Sequence, residues 1–147
     1  AHESHGKLGH PIQALAGHVH GNEDVAAPIS SGSFRVRGML VAPCSTETLG
    51  EIASGACGRL VSHAADMAPK ERRRLVLSFR KTPLHPGHCR NMVAASEMGA
   101  IVTPPVPAFY PKSASVDDIV EHTVGGTLDL FDIDVGTVKR WKEPPAG

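Results

Sequence analysis

Gly38-Met39-Leu40-Val41-Ala42-Pro43-Cys44-Ser45-Thr46-Glu47-Thr48-Leu49 is the stretch on which the reading of this chain turns. Its first half is a continuous apolar run opened by glycine and closed by proline. The run is short enough for a strand and lacks the polar alternation of a half-exposed one, so it predicts a strand buried on both faces. Polar residues Ser45 to Thr48 follow, and then Leu49, Ile52, Ala53 and Ala56 recur at helical spacing. Thr48 and Glu51 stand three apart, as a capping box requires. The unit reads as strand, polar turn, helix.

Outward from this stretch the unit recurs. A helix is expected from Leu60 to Glu71, then a strand over Leu75-Val76-Leu77-Ser78-Phe79, a loop from Arg80 to His85, and a helix from Pro86 to Met98. Ala100-Ile101-Val102-Thr103 is a third strand, Pro104 to Lys112 a proline-rich loop, and Ser115 caps a helix from Val116 to about Phe131. Strands alternating with helices imply an α/β fold built on a mainly parallel sheet with crossover helices. Ligands of such sheets lie beyond the C-terminal ends of the strands. Three loops gather there: Cys44 to Thr48, Arg80 to His85 and Pro104 to Lys112.

Composition narrows the function classes. With 147 residues, 41% of them hydrophobic and 20% charged, the chain is one domain's worth and able to form a core. Fifteen Lys and Arg balance fifteen Asp and Glu, so no overall field draws nucleic acid or an anionic membrane. The basic run Lys70-Glu71-Arg72-Arg73-Arg74 reads as a solvated helix end. Three cysteines, Cys44, Cys57 and Cys89, form no CxxC pair, which argues against a disulfide framework or a thiolate zinc site and for a reducing compartment. No apolar run reaches the ~18 residues of a membrane span, and no secretory signal is legible, so a cytoplasmic protein is expected.

The first 20 residues carry His2, His5, His10, His18 and His20, with a short helix expected near Pro11 to His18. Neutral imidazoles such as those of His18 and His20 can bind Zn²⁺ or Ni²⁺. No carboxylate or cysteine stands at a zinc-site spacing from them, so a metal-binding function through this segment is an alternative and no metal ligand is assigned.

On the rim, Ser45, Thr46 and Thr48 offer hydroxyls and backbone N–H groups at a helix N-terminus, which suits either a bound anion or simple capping. Arg80, Tyr110 and Lys112 could hold a phosphate or carboxylate, or be ordinary rim residues. Cys44 occupies a nucleophile's position but is read as a buried structural thiol, and His85 and His88 as packed or capping histidines.

Six blocks then appear in order between Asn22 and Trp141. They are Ser30-Ser31-Gly32-Ser33-Phe34, Ala42-Pro43-Cys44-Ser45-Thr46-Glu47-Thr48-Leu49, Ala64-Ala65-Asp66, Lys70-Glu71-Arg72-Arg73, Arg80-Lys81-Thr82-Pro83-Leu84 and Pro105-Val106-Pro107-Ala108-Phe109-Tyr110. Together they resemble the UbiX-type flavin prenyltransferases, historically called aromatic acid decarboxylases.

The resemblance implies a Rossmann-like (flavodoxin-like) three-layer sandwich. It implies FMN as cofactor, dimethylallyl monophosphate as prenyl donor, and a UbiD-type decarboxylase as user of the prenylated flavin. Carried over by motif, Ser45, Thr46, Glu47, Thr48 and Arg80 would contact FMN, and Lys70 and Tyr110 the prenyl phosphate. The family usually has Arg at the position of His63, Glu at Lys81 and Arg at Gly126, so a flavin-binding or assembly subunit without catalysis is a second expectation. The domain is expected over 22–142, after a His-rich segment 1–21 and before a tail 143–147.

Members of the family also open with a hydrophobic strand, a Gly-Ala-Ser-Gly turn, a helix and a second strand, to which nothing from Ala1 onward corresponds. A fragment, a strand supplied by another subunit, or a repurposed N-terminal segment would each account for this. Removal of the first strand would leave a sheet neighbour short of a pairing partner and expose apolar surface, which itself encourages association, and a homo-oligomer is expected.

Overall fold

Three parallel strands, β1 (Gly38–Cys44), β2 (Arg74–Phe79) and β3 (Ile101–Val102), stand in the order β1-β2-β3 in the computed structural model, which describes residues 12–109 and 114–136. Gly38 pairs with Arg74 at one end and Cys44 with Phe79 at the other. The register shifts between Val41 and Cys44, where Pro43 has no N–H for the ladder.

Four helices follow the strands: α1 (Thr46–Ser54), α2 (Leu60–Lys70), α3 (Pro86–Glu97) and α4 (Val116–Asp129). Strand periodicity sends Val41, Leu75, Leu77 and Phe79 into one core, where they meet Leu49 and Ile52 of α1, Ala65 and Ala68 of α2, and Ala95 of α3. Leu49, Leu75 and Leu77 are fully buried, and each such side chain contributes about 1.5–3 kcal/mol of transfer free energy. The small alanines let helices approach the sheet closely. On the other face Leu40, Ala42 and Ser78 look toward α4 across a groove. Helices on both faces of a parallel sheet make the expected three-layer sandwich.

α4 is tied down at its C-terminal end. Phe131 packs over Gly38, where a Cβ would come within 2.7 Å of the Phe131 ring and of the Arg74 carbonyl. Only glycine admits this approach. Arg74 forms an ion pair with Asp132 at 2.8 Å and donates to the Leu130 carbonyl. Arg73 donates to the carbonyls of Gly32, at 2.9 Å, and Phe34, holding the stretch before β1 against the start of β2. The basic run is therefore partly a structural clamp. Its helix-end reading misses this because both acceptors are main-chain carbonyls far off in sequence.

Two local expectations are corrected. The N-cap of α1 is Ser45, whose Oγ accepts the Thr48 N–H at 3.1 Å, so the helix starts before the Thr48–Glu51 pair. Extended backbone at Ser45 lets the cap follow the strand with no intervening loop. Near the N-terminus only Ile12 and Gln13 are helical among the described residues, and a turn replaces the rest of the expected helix before Gly17.

Among the described residues, β1 pairs only with β2. No described helix is long and apolar enough to cross a membrane.

Candidate functional site

Cys44 and Phe79 are register partners in adjacent strands, so Ser45 and Arg80 leave the sheet side by side. Neighbouring strands lie about 4.8 Å apart, which puts the N-terminus of α1 next to the cation that ends β2. Ser45 is exposed, Thr46 and Thr48 are half-buried, and Arg80 is exposed. The Ser45 and Thr48 hydroxyls lie 3.1 Å apart. The first-turn N–H groups of α1 add the positive end of the helix dipole to this rim. Arg80 and Lys81 add full charges.

Glu47 and Glu51 share one cation. Arg59 reaches Glu47 at 2.9 Å and Glu51 at 2.7 Å, and hydrogen bonding and charge from Glu51 lead in raising the guanidinium pKa. This pair therefore does not oppose an anion at the α1 N-terminus as free carboxylates would. Arg59 was not singled out from sequence. The available signal was the four-residue spacing of Glu47 and Glu51, which sets both on one helix face.

Cys44 is fully buried and its thiol is pushed up to about 11 by that burial. It donates weakly to the Ser45 carbonyl at 3.7 Å and packs as a core residue, not as a nucleophile. His85 caps α3: its Nδ1 accepts the Gly87 N–H at 3.0 Å. His88 Nδ1 accepts the His85 N–H at 3.4 Å, the two rings stack with centroids 3.6 Å apart, and His88 tilts against Phe79. Desolvation, then the charges of His85 and Lys81, lower the His88 pKa.

The remaining sequence candidates are not gathered on this rim. Lys70 ends α2 four residues before β2 begins at Arg74, so it lies toward the strand N-termini, at the opposite end of the sheet from Ser45 and Arg80. Tyr110 and Lys112 lie outside the described residues, as do His2, His5 and His10. His63, in α2, has a buried Nδ1 without a hydrogen-bond partner, and Gly126, in α4, faces open space. Among the described residues no group of three or more His, Cys, Asp or Glu could hold a metal ion.

A further feature escaped sequence reading: an apolar groove of about 490 Å³ between Leu40, Ala42 and Ser78 of the sheet and the inward side of α4. Its signal was present as Val116, Val120 and Val124 at four-residue spacing.

A parallel sheet with an anion-favouring helix N-terminus at its C-terminal rim suits a phosphorylated cofactor, and the sequence pattern of the Flavoprotein family matches residues 10–128, which makes the chain a flavoprotein. The flavin prenyltransferase UbiX of Thauera aromatica is 50% identical over 130 residues, covering 88% of this chain and 67% of that protein. UbiX of Escherichia coli K12 is 51% identical over 133 residues, covering 89% and 70%. AnUbiX (PadA1), solved in complex with FMN and dimethylallyl pyrophosphate, superposes with a TM-score of 0.88 at 52% identity over 92% of this chain and 72% of that one. A dodecameric FMN-dependent UbiX-like decarboxylase from E. coli O157:H7 gives a TM-score of 0.87 at 47% identity, covering 92% and 73%. The chain belongs to the UbiX flavin prenyltransferase family and spans about two thirds of the length of the curated relatives it matches.

Proposed function

We propose that the chain acts as a flavin prenyltransferase, holding FMN on the rim formed by Ser45, Thr46, Glu47, Thr48 and Arg80 and transferring to it the dimethylallyl group of dimethylallyl monophosphate. The observation that carries this reading is the pairing of Cys44 with Phe79, which sets the α1 N-terminus beside Arg80. The donor set fits the cofactor. Unpaired backbone N–H groups, hydroxyls and a guanidinium suit its phosphate and polar ring edge, and Arg59 holds the nearby carboxylates in check.

FMN, when bound, supplies the ring that accepts the allylic carbon. The chain's own part is to fix that ring, exclude water and stabilise the phosphate that departs as the allylic C–O bond breaks. Lys70 and Tyr110 are assigned to that phosphate. Since Lys70 lies toward the far end of the sheet in its own chain, it serves a site completed by a neighbouring copy, and the active form is a homo-oligomer. The E. coli O157:H7 relative's dodecameric state supports this. Domain bounds of 22–142, a cytoplasmic setting in keeping with three free cysteines, and a UbiD-type decarboxylase as consumer of the product complete the proposal.

A second reading rests on specific residues. His63 with its unpartnered nitrogen, Lys81 and the open position of Gly126 suit a subunit that binds flavin without prenylating it. Titration with FMN, followed by flavin fluorescence and heat and then by product analysis with dimethylallyl monophosphate, separates the two. Saturation near one FMN per chain with prenylated flavin as product is expected, and Arg80→Ala should weaken binding about tenfold or more. Binding without product selects the second reading, and absence of saturable binding overturns both.

A further inference from the structure

One nitrogen of Arg59 serves two carboxylates of α1. Nη2 meets Glu51 Oε1 at 2.7 Å and Glu47 Oε1 at 2.9 Å, while Nε donates only to the Glu51 oxygen. The two acids differ in freedom. The Glu51 side chain is 20% exposed and that of Glu47 69% exposed.

Arg59 is itself held in place. Its N–H donates to the hydroxyl of the buried Ser62 at 3.2 Å, and that hydroxyl donates back to the Arg59 carbonyl at 3.0 Å. The guanidinium is then fixed by its two-pronged contact with Glu51. Glu51 lies four residues, or about 6 Å, further along the α1 axis than Glu47. Glu47, the freer partner, is therefore drawn along the helix and away from its N-terminus.

Without the cation, elementary forces would send that carboxylate the other way. Glu47 is the second residue of α1, and Cα–Cβ bonds tilt toward a helix's N-terminus. The first-turn N–H groups of Thr46 and Glu47 have no acceptor within the helix, and the helix dipole adds its attraction for negative charge. Repulsion from Glu51 one turn on pushes in the same direction. A carboxylate folded over these donors would compete with a bound anion for them and repel it.

We propose that Arg59 is a positioning residue of the flavin rim: by drawing the Glu47 carboxylate toward Glu51 it keeps the α1 N-terminus open to an anionic cofactor. That the anion is FMN rests on the function proposed above, whereas the direction in which Glu47 turns does not.

The test compares the full 147-residue chain with Arg59→Met and with Arg59→Met combined with Glu47→Gln. Without ligand, amide exchange at Thr46 and Glu47, read by NMR, should slow about threefold in Arg59→Met as the freed carboxylate covers these groups, and return to the parent's rate in the double variant. With FMN, the Kd should rise about fivefold in Arg59→Met, less at high salt, and return to within about twofold of the parent in the double variant. The lowered Tm of Arg59→Met should persist there, because Glu51 still lacks its cation. A merely structural role would not restore affinity while stability stays low. Arg59→Lys, which keeps the charge, should fall nearer the parent in both readouts. Should Arg59→Met not fold, the same comparison is made on a Glu51→Gln background, where no half-buried carboxylate is left uncompensated. Unchanged exchange at Thr46 and Glu47, an FMN affinity that does not fall in Arg59→Met, or a fall that Glu47→Gln fails to reverse would each overturn the proposal. A parent chain that binds no FMN would sink the flavin reading alone, and the ligand-free exchange would then decide the role of Arg59.

Discussion

Arg59 Nη2 lies 2.7 Å from Glu51 Oε1, and Arg59 Nε meets the same oxygen at 3.1 Å. The two side chains are only 24% and 20% exposed, and the other Glu51 oxygen is buried without a partner. This bond ties the last turns of α1 to the start of α2, and through α1 it fixes the helix whose N-terminus forms the rim. Removing the cation leaves a half-buried carboxylate uncompensated, so Arg59→Met should cost about 1–2 kcal/mol. In urea unfolding, the double variant with Glu51→Gln should lose less than Arg59→Met alone. An equal or greater loss would mean that the pair is solvated and adds nothing.

The thiols should separate by burial. Cys44 is fully buried, and that burial pushes its thiol up to about 11, so it stays protonated at pH 7.5. Cys89 is exposed and Cys57 half-exposed, with its own pKa raised by desolvation and then by Asp66 and Glu51. Iodoacetamide at pH 7.5 should modify Cys89 first, and Cys44 only in denaturant. Native-state modification of Cys44, read by peptide mass, would contradict its place in the core.

The strands and helices were legible in the sequence because short-range periodicity sets them. The apolar run at 38–43 and the spacing of Leu49 and Ile52 announced a strand and a helix packed on it, but the strand is buried on one face only: Val41 and Cys44 enter the core, whereas Leu40 and Ala42 line an open groove and stay exposed, against the expectation of burial on both faces. Side-by-side emergence of Ser45 and Arg80 followed less directly, since it depends on the Cys44–Phe79 register. Arg73 was misjudged as solvated, and the partners of the exposed Arg74 were missed, because the acceptors, the Gly32, Phe34 and Leu130 carbonyls, carry no side-chain signature. The groove was missed for a related reason. A valine stripe on α4 predicts a buried face, and only the fold shows that the face meets open space. Lys70 was assigned to the prenyl phosphate by the resemblance alone, and chain direction carries it toward the strand N-termini.

Protonation should loosen the first turn of α3. The His88 pKa is lowered from its ordinary 6.5, first by desolvation and then by the charges of His85 and Lys81, and its Nδ1 is engaged as an acceptor. As pH falls from 7.5, the unfolded chain takes up this proton before the native state does, so stability declines from about pH 6.5 until the folded pKa is passed. Asparagine can offer an acceptor in place of Nδ1 but does not titrate. In calorimetry, His88→Asn should therefore show a smaller fall in Tm between pH 7.5 and 5 than the parent. Identical slopes would show that other groups carry the dependence.

Gly126 separates a functional from a structural account of one helix position. It lies in the interior of α4, exposed, with no atom within 4 Å of where a Cβ would stand and no positive φ to require glycine. Glycine costs a helix interior about 0.8–1 kcal/mol relative to alanine, so Gly126→Ala should stabilise the chain by about 0.5–1 kcal/mol in chemical denaturation. Gly126→Arg should be accommodated as readily and add a cation to the exposed side of α4. If the open position serves only backbone flexibility, both variants gain stability and neither changes prenyl transfer. If the position bears on the departing phosphate, Gly126→Arg alone should raise the yield of prenylated flavin, and Gly126→Ala, equally stable, should not.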